Sequence, residues 1–157
     1  MWVMENLSIR QATINDLATL RNMEQGLIKA ERPFDVTIRE DPVVYYDLES
    51  MLTDPDVRVV VAEADGQVVS CGYARVEDAR TYLDHKKHAW MGFMFTLDEY
   101  RGKGINGQIV EVLSAWADTK GLKEIRLTVY EENSPAIRAY EKVGFKKHIL
   151  EMRMRIP

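Results

Sequence analysis

Length, composition and charge describe an ordinary globular chain. Its 157 residues can bury a sizeable core without disulfides or metals, and 46% of them are hydrophobic and 29% charged. The formal net charge of −4 argues against a nucleic-acid partner or an anionic membrane surface, and the lone Cys71 excludes an internal disulfide. No apolar run reaches the roughly 18 residues of a membrane span, and Met1–Glu5 lacks the basic start of a signal peptide. We therefore expect one cytoplasmic domain over residues 1–157, without a metal and without membrane contact.

The first half of the sequence predicts a strand, two helices and three further strands. Residues 7–11 alternate in polarity like a half-buried strand, and Thr13 and Asn15 can cap the helix whose apolar side chains recur from Leu17 to Leu27. Residues 29–43 have the composition of a loop. The elements predicted after this loop are a short helix around Tyr45–Leu52, strands Val57–Glu63 and Gln67–Val76 joined by the hairpin signal Asp65-Gly66, and strand His88–Thr96 with Gly92 as a candidate bulge.

The second half predicts alternating helices and strands. Residues 105–116 carry apolar side chains at helical spacing, and Gly121 ends that helix. Asn133-Ser134-Pro135 begins the last helix, because a capping side chain precedes a proline in the first turn, and Gly144 closes it. Strands are predicted over Glu124–Tyr130 before this helix and, as one or two segments, within Lys146–Ile156 after it. The order of elements predicts a mixed α/β single domain.

The strongest functional signal is the segment Arg101-Gly102-Lys103-Gly104-Ile105-Asn106-Gly107, which runs directly into a helix. Closely spaced glycines let a backbone approach a ligand, and the free N–H groups of a first helical turn attract anions. Arg101 and Lys103 add fixed positive charge beside those groups. The segment therefore predicts a site for a phosphate or pyrophosphate.

Two phosphate-binding motifs have to be weighed against this segment. A P-loop is excluded, since no Ser or Thr follows Lys103 to hold magnesium. Gly102, Gly104 and Gly107 do spell the dinucleotide fingerprint, with Glu131 at the distance expected of a ribose ligand. However, residues 98–101 separate the predicted strand from the first glycine, and too few strands follow for a doubly wound sheet. A nicotinamide-dinucleotide binder is the second-ranked reading.

The glycine segment is followed by a helix, a strand and a second motif. That motif runs from Asn133 to Phe145 and reads Asn-Ser-Pro-Ala-Ile-Arg-Ala-Tyr-Glu-Lys-Val-Gly-Phe. Together these features resemble the GNAT family of acetyl-CoA-dependent N-acetyltransferases. The resemblance is dense over residues 93–145, and the upstream element order agrees with it. It implies a central, mostly antiparallel sheet with a splayed strand pair and about four flanking helices. It also implies that the acetyl group of acetyl-CoA passes to a primary amine of a small molecule, amino acid or peptide by direct attack in a ternary complex.

The resemblance implies two stretches of backbone that hold acetyl-CoA. One is the segment after the fourth strand, which cradles the pyrophosphate, and the other is the splaying strand, which binds the pantetheine arm and polarises the thioester carbonyl. Asn106 departs from the Gly or Ala usual at its position, although Asn tolerates unusual backbone conformations. The residues concerned are Arg101, Gly102, Lys103, Gly104, Ile105, Asn106 and Gly107 in the first stretch, and Met94, Phe95 and Thr96 in the second.

Asn133 and Tyr140 lie seven residues apart, which is two helical turns, so both can face one cleft. The resemblance implies that Asn133 contacts coenzyme A and that the Tyr140 hydroxyl protonates the departing thiolate as general acid. Without the flanking motif, Asn133 would be a simple helix cap and Tyr140 a core aromatic residue whose hydroxyl reaches solvent.

The general base is open at this point. Positions where many relatives carry a glutamate hold Trp90 or Gly92 and Thr128 here. His88 has the most suitable unperturbed pKa and is the catalytic candidate. The other candidates, acting directly or through water, are Glu77, Asp78, Glu31 and Asp35.

The acceptor site is expected around the loop after the first helix, where Glu31, Phe34 and Asp35 could hold a cationic amine by charge and cation–π contacts. Arg32 could instead bind a carboxylate, which would suit an amino acid or a peptide.

Cys71 has no evident histidine partner, so we expect it to be a buried core thiol. The missing glutamates also motivate a rival, a catalytically silent CoA-binding regulatory module. Many relatives dimerise, so a homodimer is among the expectations.

Overall fold

The computed structural model describes residues 6–157, so the expectation drawn from Met1–Glu5 lies outside the described residues. Two single-turn 3-10 helices, Ile14–Asp16 and Asp98–Tyr100, precede the first long helix and the glycine segment. The other elements, in chain order, are β1 (Leu7–Gln11), α1 (Leu17–Glu31), α2 (Leu48–Thr53), β2 (Val57–Ala64), β3 (Gln67–Asp78), β4 (Lys87–Thr96), α3 (Ile105–Thr119), β5 (Ile125–Arg126) and α4 (Ser134–Lys142).

The strands form one sheet in the order β1-β2-β3-β4-β5. The first three pairings are antiparallel, whereas β5 lies parallel to β4 and pairs with it only through Ala89–Ile125 and Trp90–Arg126. The predicted hairpin between β2 and β3 is confirmed, with Asp65 and Gly66 both at positive φ as a tight two-residue turn requires. The result is the mixed, mostly antiparallel sheet with flanking helices that the sequence predicts.

Each face of the sheet is covered by helices whose apolar side chains recur every three or four residues. On one face, α3 buries Ile105, Ile109 and Leu113 against β2, β3 and β4. On the other face, Leu20 and Met23 of α1 and Leu48 of α2 are buried with core side chains of β2, β3 and β4. Burial on both faces explains why the central strands are rich in Val, Ala and aromatic residues.

β4 contains an extra residue two-thirds of the way along its length. Tyr73 pairs with Gly92 and Cys71 with Phe95, so two residues of β4 lie opposite the single Gly72. Phe93 takes a positive φ of 52° at this bulge. The bulge changes which face the strand presents: Met91 packs with α3, whereas Phe93 packs with α1 and α2. The bulge predicted at Gly92 therefore begins one residue later.

The helix predicted around Tyr45–Leu52 begins only at Leu48. The backbone N–H groups of Tyr45 and Tyr46 are bound by the carboxylate of Glu24 on α1, at 3.1 and 2.8 Å. Asp47 then caps the helix through the N–H of Ser50. A long-range contact therefore delays the start of the helix, and such contacts cannot be read from local spacing.

The prediction of terminal strands within Lys146–Ile156 is wrong. Residues 145–157 contain no strand, and residues 146–157 are exposed. The alternating pattern is present, but a strand also needs backbone pairing, and residues 146–157 make no ladder with β5 or with the free edge of β4. No helix within residues 6–157 has the length and apolar character that crossing a membrane would need.

Candidate active site

The glycine segment lies at the N-terminus of α3. Gly102 and Gly104 have φ values of +74° and +78°, and no heavy atom lies within 4 Å of where a Cβ would stand on either. These glycines are therefore required by backbone conformation and leave open space in front of the loop. The first turn of α3 then presents the N–H groups of Ile105, Asn106 and Gly107, which have no carbonyl partner within the helix. The geometry suits a bound anion.

The two cationic side chains of this segment are partly engaged by its surroundings. Arg101 donates from Nε to the Thr96 carbonyl at 3.0 Å and pairs with Asp98 at 3.1 Å. The ammonium group of Lys103 lies 5.0 Å from the ring centroid of Tyr100. Arg101 therefore ties the segment to the end of β4, while both cations remain at the mouth of the loop.

The strands β4 and β5 separate beyond their two paired positions. From Met91 onward, the β4 edge that faces β5 has no ladder partner, because β5 ends at Arg126. Met94 and Phe95 lie on this free stretch, and Thr96 ends it with its hydroxyl 2.7 Å from Ser70 Oγ. An open backbone edge beside an anion site is suited to an elongated ligand that carries a phosphate at one end.

Asn133 and Tyr140 come from α4. Asn133 caps the helix, its Oδ1 accepting from the N–H of Ala136 at 3.3 Å. Within the part of the chain that the structure describes, its NH2 group binds no protein acceptor. Burial raises the pKa of Tyr140 to about 12, with a further contribution from the charge of Glu31. Its ring packs edge to face on Phe145 at 5.7 Å, which orients it.

The charge of Glu31, the last residue of α1, reaches several tyrosine hydroxyls. Its charge raises the pKa of four tyrosine hydroxyls, although burial contributes more than Glu31 at each of them. The pKa of Glu31 itself is raised, because the effect of burial exceeds the opposing effect of the Tyr45 hydroxyl. The loop before α2, the segment after β5 and α4 thus lie within electrostatic reach of the carboxylate that ends α1. The four hydroxyls belong to Tyr45, Tyr46, Tyr130 and Tyr140.

Glu24 is a functional residue that sequence reasoning missed. Its side chain is 2% exposed, and it holds the backbone of Tyr45 and Tyr46 in place beside Glu31. A charged residue on the buried face of a predicted helix is the signal that could have revealed it, because such a residue needs a hydrogen-bonding partner.

Within residues 6–157, no hydrogen bond joins His88 to Tyr140. His88 lies at the start of β4, seven residues or about 20 Å of strand before Phe95. Its imidazole contacts His85, with 3.3 Å between Nδ1 and Nε2. Burial lowers its pKa, and the charges of Arg126 and His85 lower it further. The other candidates on β3 are also engaged, Glu77 by Arg75 and Asp78 by Lys87.

The loop after α1 fixes the remaining candidates. Phe34 stacks on Tyr130 with ring centroids 5.8 Å apart. Asp35 accepts hydrogen bonds from Thr37, which lower its pKa most, and also pairs with Arg153 at 3.0 Å. Phe34 and Asp35 therefore lie on the same side of the site as Glu31.

The sheet topology excludes a dinucleotide-binding fold. A 3-10 turn separates β4 from Gly102, and the sheet is mostly antiparallel with one short parallel pair. A dinucleotide fold needs a parallel, doubly wound sheet. The family model described as "Acetyltransferase (GNAT) family" matches residues 24–145. The chain belongs to the GNAT family.

Two curated relatives show how similar this GNAT chain is to other members of the family. It is 24% identical over 147 residues to the SPbeta prophage-derived uncharacterized N-acetyltransferase YokL of Bacillus subtilis, an alignment that covers 93% of this chain and 79% of YokL. It is 31% identical over 108 residues to an N-alpha-acetyltransferase of Sulfurisphaera tokodaii, covering 66% of this chain and 65% of that protein.

Solved structures share the fold at low identity. A mutant of the BH1408 protein from Bacillus halodurans superposes with a TM-score of 0.87 at 17% identity, covering 96% of this chain and 99% of that one. The aminoglycoside N-acetyltransferase AAC(6')-Iy in complex with CoA gives 0.72 at 19% identity, covering 95% and 100%. These likenesses concern the fold.

GNAT acetyltransferases use acetyl-CoA, and the residues of this GNAT chain fit it. The open, left-handed glycines at the α3 N-terminus suit the pyrophosphate. The unpaired edge of β4 suits the amide groups of the pantetheine arm. Among residues 6–157, no cluster of three or more His, Cys, Asp or Glu side chains could hold a metal ion.

Proposed function

We propose that the chain is an acetyl-CoA-dependent N-acetyltransferase that acetylates a primary amine by direct attack in a ternary complex. The observation that carries the proposal is the free edge of β4, which runs from Met91 towards the glycine segment at the N-terminus of α3, together with the charge of Glu31, which acts on the Tyr140 hydroxyl. Amine acetylation needs a base and an acid, and a carboxylate and a protonated phenol within electrostatic reach of each other can supply them.

Tyr140 is the proposed general acid. A hydroxyl with a pKa of about 12 stays protonated at neutral pH and can donate its proton to the thiolate of coenzyme A as that group leaves. Glu31 is the proposed general base, in place of His88. Its raised pKa improves its match to the ammonium proton that must be removed before the amine can attack.

The binding roles follow from backbone geometry. Acetyl-CoA supplies the activated acetyl group, and the N–H groups of residues 102–107 would hold its pyrophosphate. The backbone of Met94, Phe95 and Thr96 would bind the pantetheine arm, with the Asn133 NH2 group as a further donor and Arg101 steadying the loop. Direct transfer is favoured over an acyl-enzyme because Cys71, the one cysteine, is fully buried and its thiol pKa is raised by that burial.

Two properties outside the active site are also proposed. The row of exposed apolar side chains after α4 supports a homodimer, since such a row is normally covered by protein. A cytoplasmic location stays a prediction from composition.

The proposed acceptor is a small-molecule or peptide amine. The relatives' printed names include an N-alpha-acetyltransferase and aminoglycoside N(6')-acetyltransferases, which are compatible with either.

The first test is binding, measured as a thermal shift with acetyl-CoA, CoA and NADH. At 100 times its dissociation constant a ligand stabilises a fold by about 2.7 kcal/mol, so acetyl-CoA and CoA are expected to raise the Tm clearly, and NADH is not. A panel of primary amines is then assayed for release of free CoA thiol. Binding of CoA without transfer to any amine would support the alternative, a catalytically silent CoA-binding regulatory module. Stabilisation by NADH alone would overturn the proposal.

A further inference from the structure

Two aromatic side chains flank Glu31: Phe34 lies one turn after it, and the Tyr45 hydroxyl lowers its pKa. Tyr45 packs edge to face on Tyr46 at 5.8 Å, and Tyr46 stacks on Phe93 at 4.9 Å. On the other side, Phe34 stacks on Tyr130 at 5.8 Å. Rings from the loop after α1 and from the loop before α2 therefore lie beside a half-buried carboxylate, and each belongs to an aromatic pair. Such a lining attracts a cation through ring faces and accommodates an apolar body beside it.

Glu31 lacks a protein counter-ion. Within residues 6–157, no Lys, Arg or His nitrogen lies within 4 Å of its carboxylate. The two nearby arginines are committed elsewhere. Arg32 donates to the carbonyls of Ile38 and Arg39 and pairs with Asp41 at 2.8 Å. Arg153 donates to Asp35 and to the Thr37 hydroxyl, both at 3.0 Å. A ligand's ammonium group would therefore be the natural partner of Glu31.

From this arrangement, and resting on the proposed function, we propose that the acceptor is a small primary amine on an apolar or aromatic carbon body, with no carboxylate beside the amine. The ammonium group would bind Glu31 and the carbon body would pack on the rings of Phe34, Tyr45 and Tyr130. A free α-amino acid is disfavoured because its carboxylate would meet the charge of Glu31 and find no uncommitted arginine.

Extended peptides are disfavoured by a different contact. Arg153 ties the segment after α4 to the loop after α1, beside the stacked rings of Phe34 and Tyr130. A peptide lying between these two segments would have to break the contacts of Arg153 with Asp35 and Thr37. A small amine does not need that space.

The probes are four molecules that share one aromatic body: 2-phenylethylamine, phenylalanine, phenylalaninamide and a tripeptide with N-terminal phenylalanine. The value of kcat/KM is measured for each at saturating acetyl-CoA. We expect 2-phenylethylamine to exceed phenylalanine by at least a hundredfold and the tripeptide by at least tenfold. Phenylalaninamide should fall between the amine and the amino acid, because it lacks the carboxylate but keeps a polar substituent.

Binding is measured separately from turnover, by calorimetric titration of 2-phenylethylamine into the protein–CoA complex. Glu31→Gln should weaken this binding at least tenfold, whereas Glu40→Gln, an exposed control in the same loop, should leave it unchanged. Equal or better use of phenylalanine or the tripeptide would overturn the acceptor class, and so would unaltered binding in Glu31→Gln. The N-acetyltransferase proposal itself would fail differently, through the absence of transfer to every amine despite CoA binding.

Discussion

At the scale of single residues, the site combines groups from distant parts of the chain. Glu31 ends the first helix and Tyr140 lies in the last one, yet the carboxylate acts on the phenol. Tyr140, Asn133 and the glycine segment could be proposed from sequence, because their spacing forms a recognisable motif. Glu31 could be proposed only as one of several acidic candidates. Its distinguishing property, burial among tyrosines, depends on tertiary packing.

Replacing Tyr140 with phenylalanine removes the proposed acid and keeps the ring on Phe145. We expect kcat to fall by about a hundredfold or more, in line with the usual contribution of general acid–base catalysis. The dissociation constant for acetyl-CoA should change less than threefold. Steady-state kinetics and calorimetry check both values. A variant with near-normal kcat would show that another group protonates the thiolate.

The pH dependence of kcat/KM should report Glu31. Burial raises its pKa above the ordinary value of 4.5, and the base must be ionised, so activity is expected to fall as pH drops through that raised pKa. In Glu31→Gln the residual activity should lose this acidic limb, while Glu40→Gln keeps it. An acidic limb that persists unchanged in Glu31→Gln would assign the titration to another group.

At the scale of elements, the sequence predicts most helices and strands because their apolar spacing matches the faces that are buried. The predicted element boundaries are wrong where contacts with distant parts of the chain determine the local structure. The start of α2 is delayed by Glu24, and the segment after α4 pairs with no strand edge. Neither contact leaves a mark in local spacing, so neither boundary could be predicted.

Glu24→Ala tests the link between α1 and the loop that carries Tyr45 and Tyr46. It leaves two backbone N–H groups without their acceptor, and each buried unsatisfied group costs about 1–3 kcal/mol. We expect the free energy of unfolding to fall by about 2 kcal/mol or more, with a raised KM for the amine. Urea unfolding and kinetics measure these effects. Glu111→Ala on the exposed face of α3 is the control, and equal stability in both variants would refute the role of Glu24.

At the scale of the whole molecule, the segment after α4 leaves a row of apolar side chains in solvent. Leu150, Met152, Met154 and Ile156 are between 64% and 85% exposed. We expect the protein to form dimers at micromolar concentration, with the double variant Met152→Lys, Met154→Lys monomeric under the same conditions. Sedimentation velocity distinguishes the two states. A wild-type protein that stays monomeric at every concentration tested would contradict the proposed homodimer.

Acid stability is a second whole-molecule property. The pKa of His88 is lowered from 6.5 because the folded protein buries its neutral imidazole. As pH falls below 6.5, the unfolded chain takes up a proton that folded His88 resists, so the free energy of unfolding should decrease until the folded pKa is reached. Urea unfolding at pH 7.0 and 5.5 measures the loss. His88→Asn should show a smaller loss over this interval, and an identical loss would exclude His88 as its source.

The bulge in β4 limits how the chain can change in length. One extra residue places Met91 and Phe93 on opposite faces of the sheet, although they lie two apart in sequence. Deleting Gly92 would remove the extra residue and leave Phe93, Met94 and Phe95 on their present faces, whereas a deletion elsewhere in β4 would turn the residues that follow it to the opposite face. Loops such as 79–86 can gain or lose residues without this effect. Length differences among functional homologues should therefore accumulate in the loops and, within β4, be confined to the bulge.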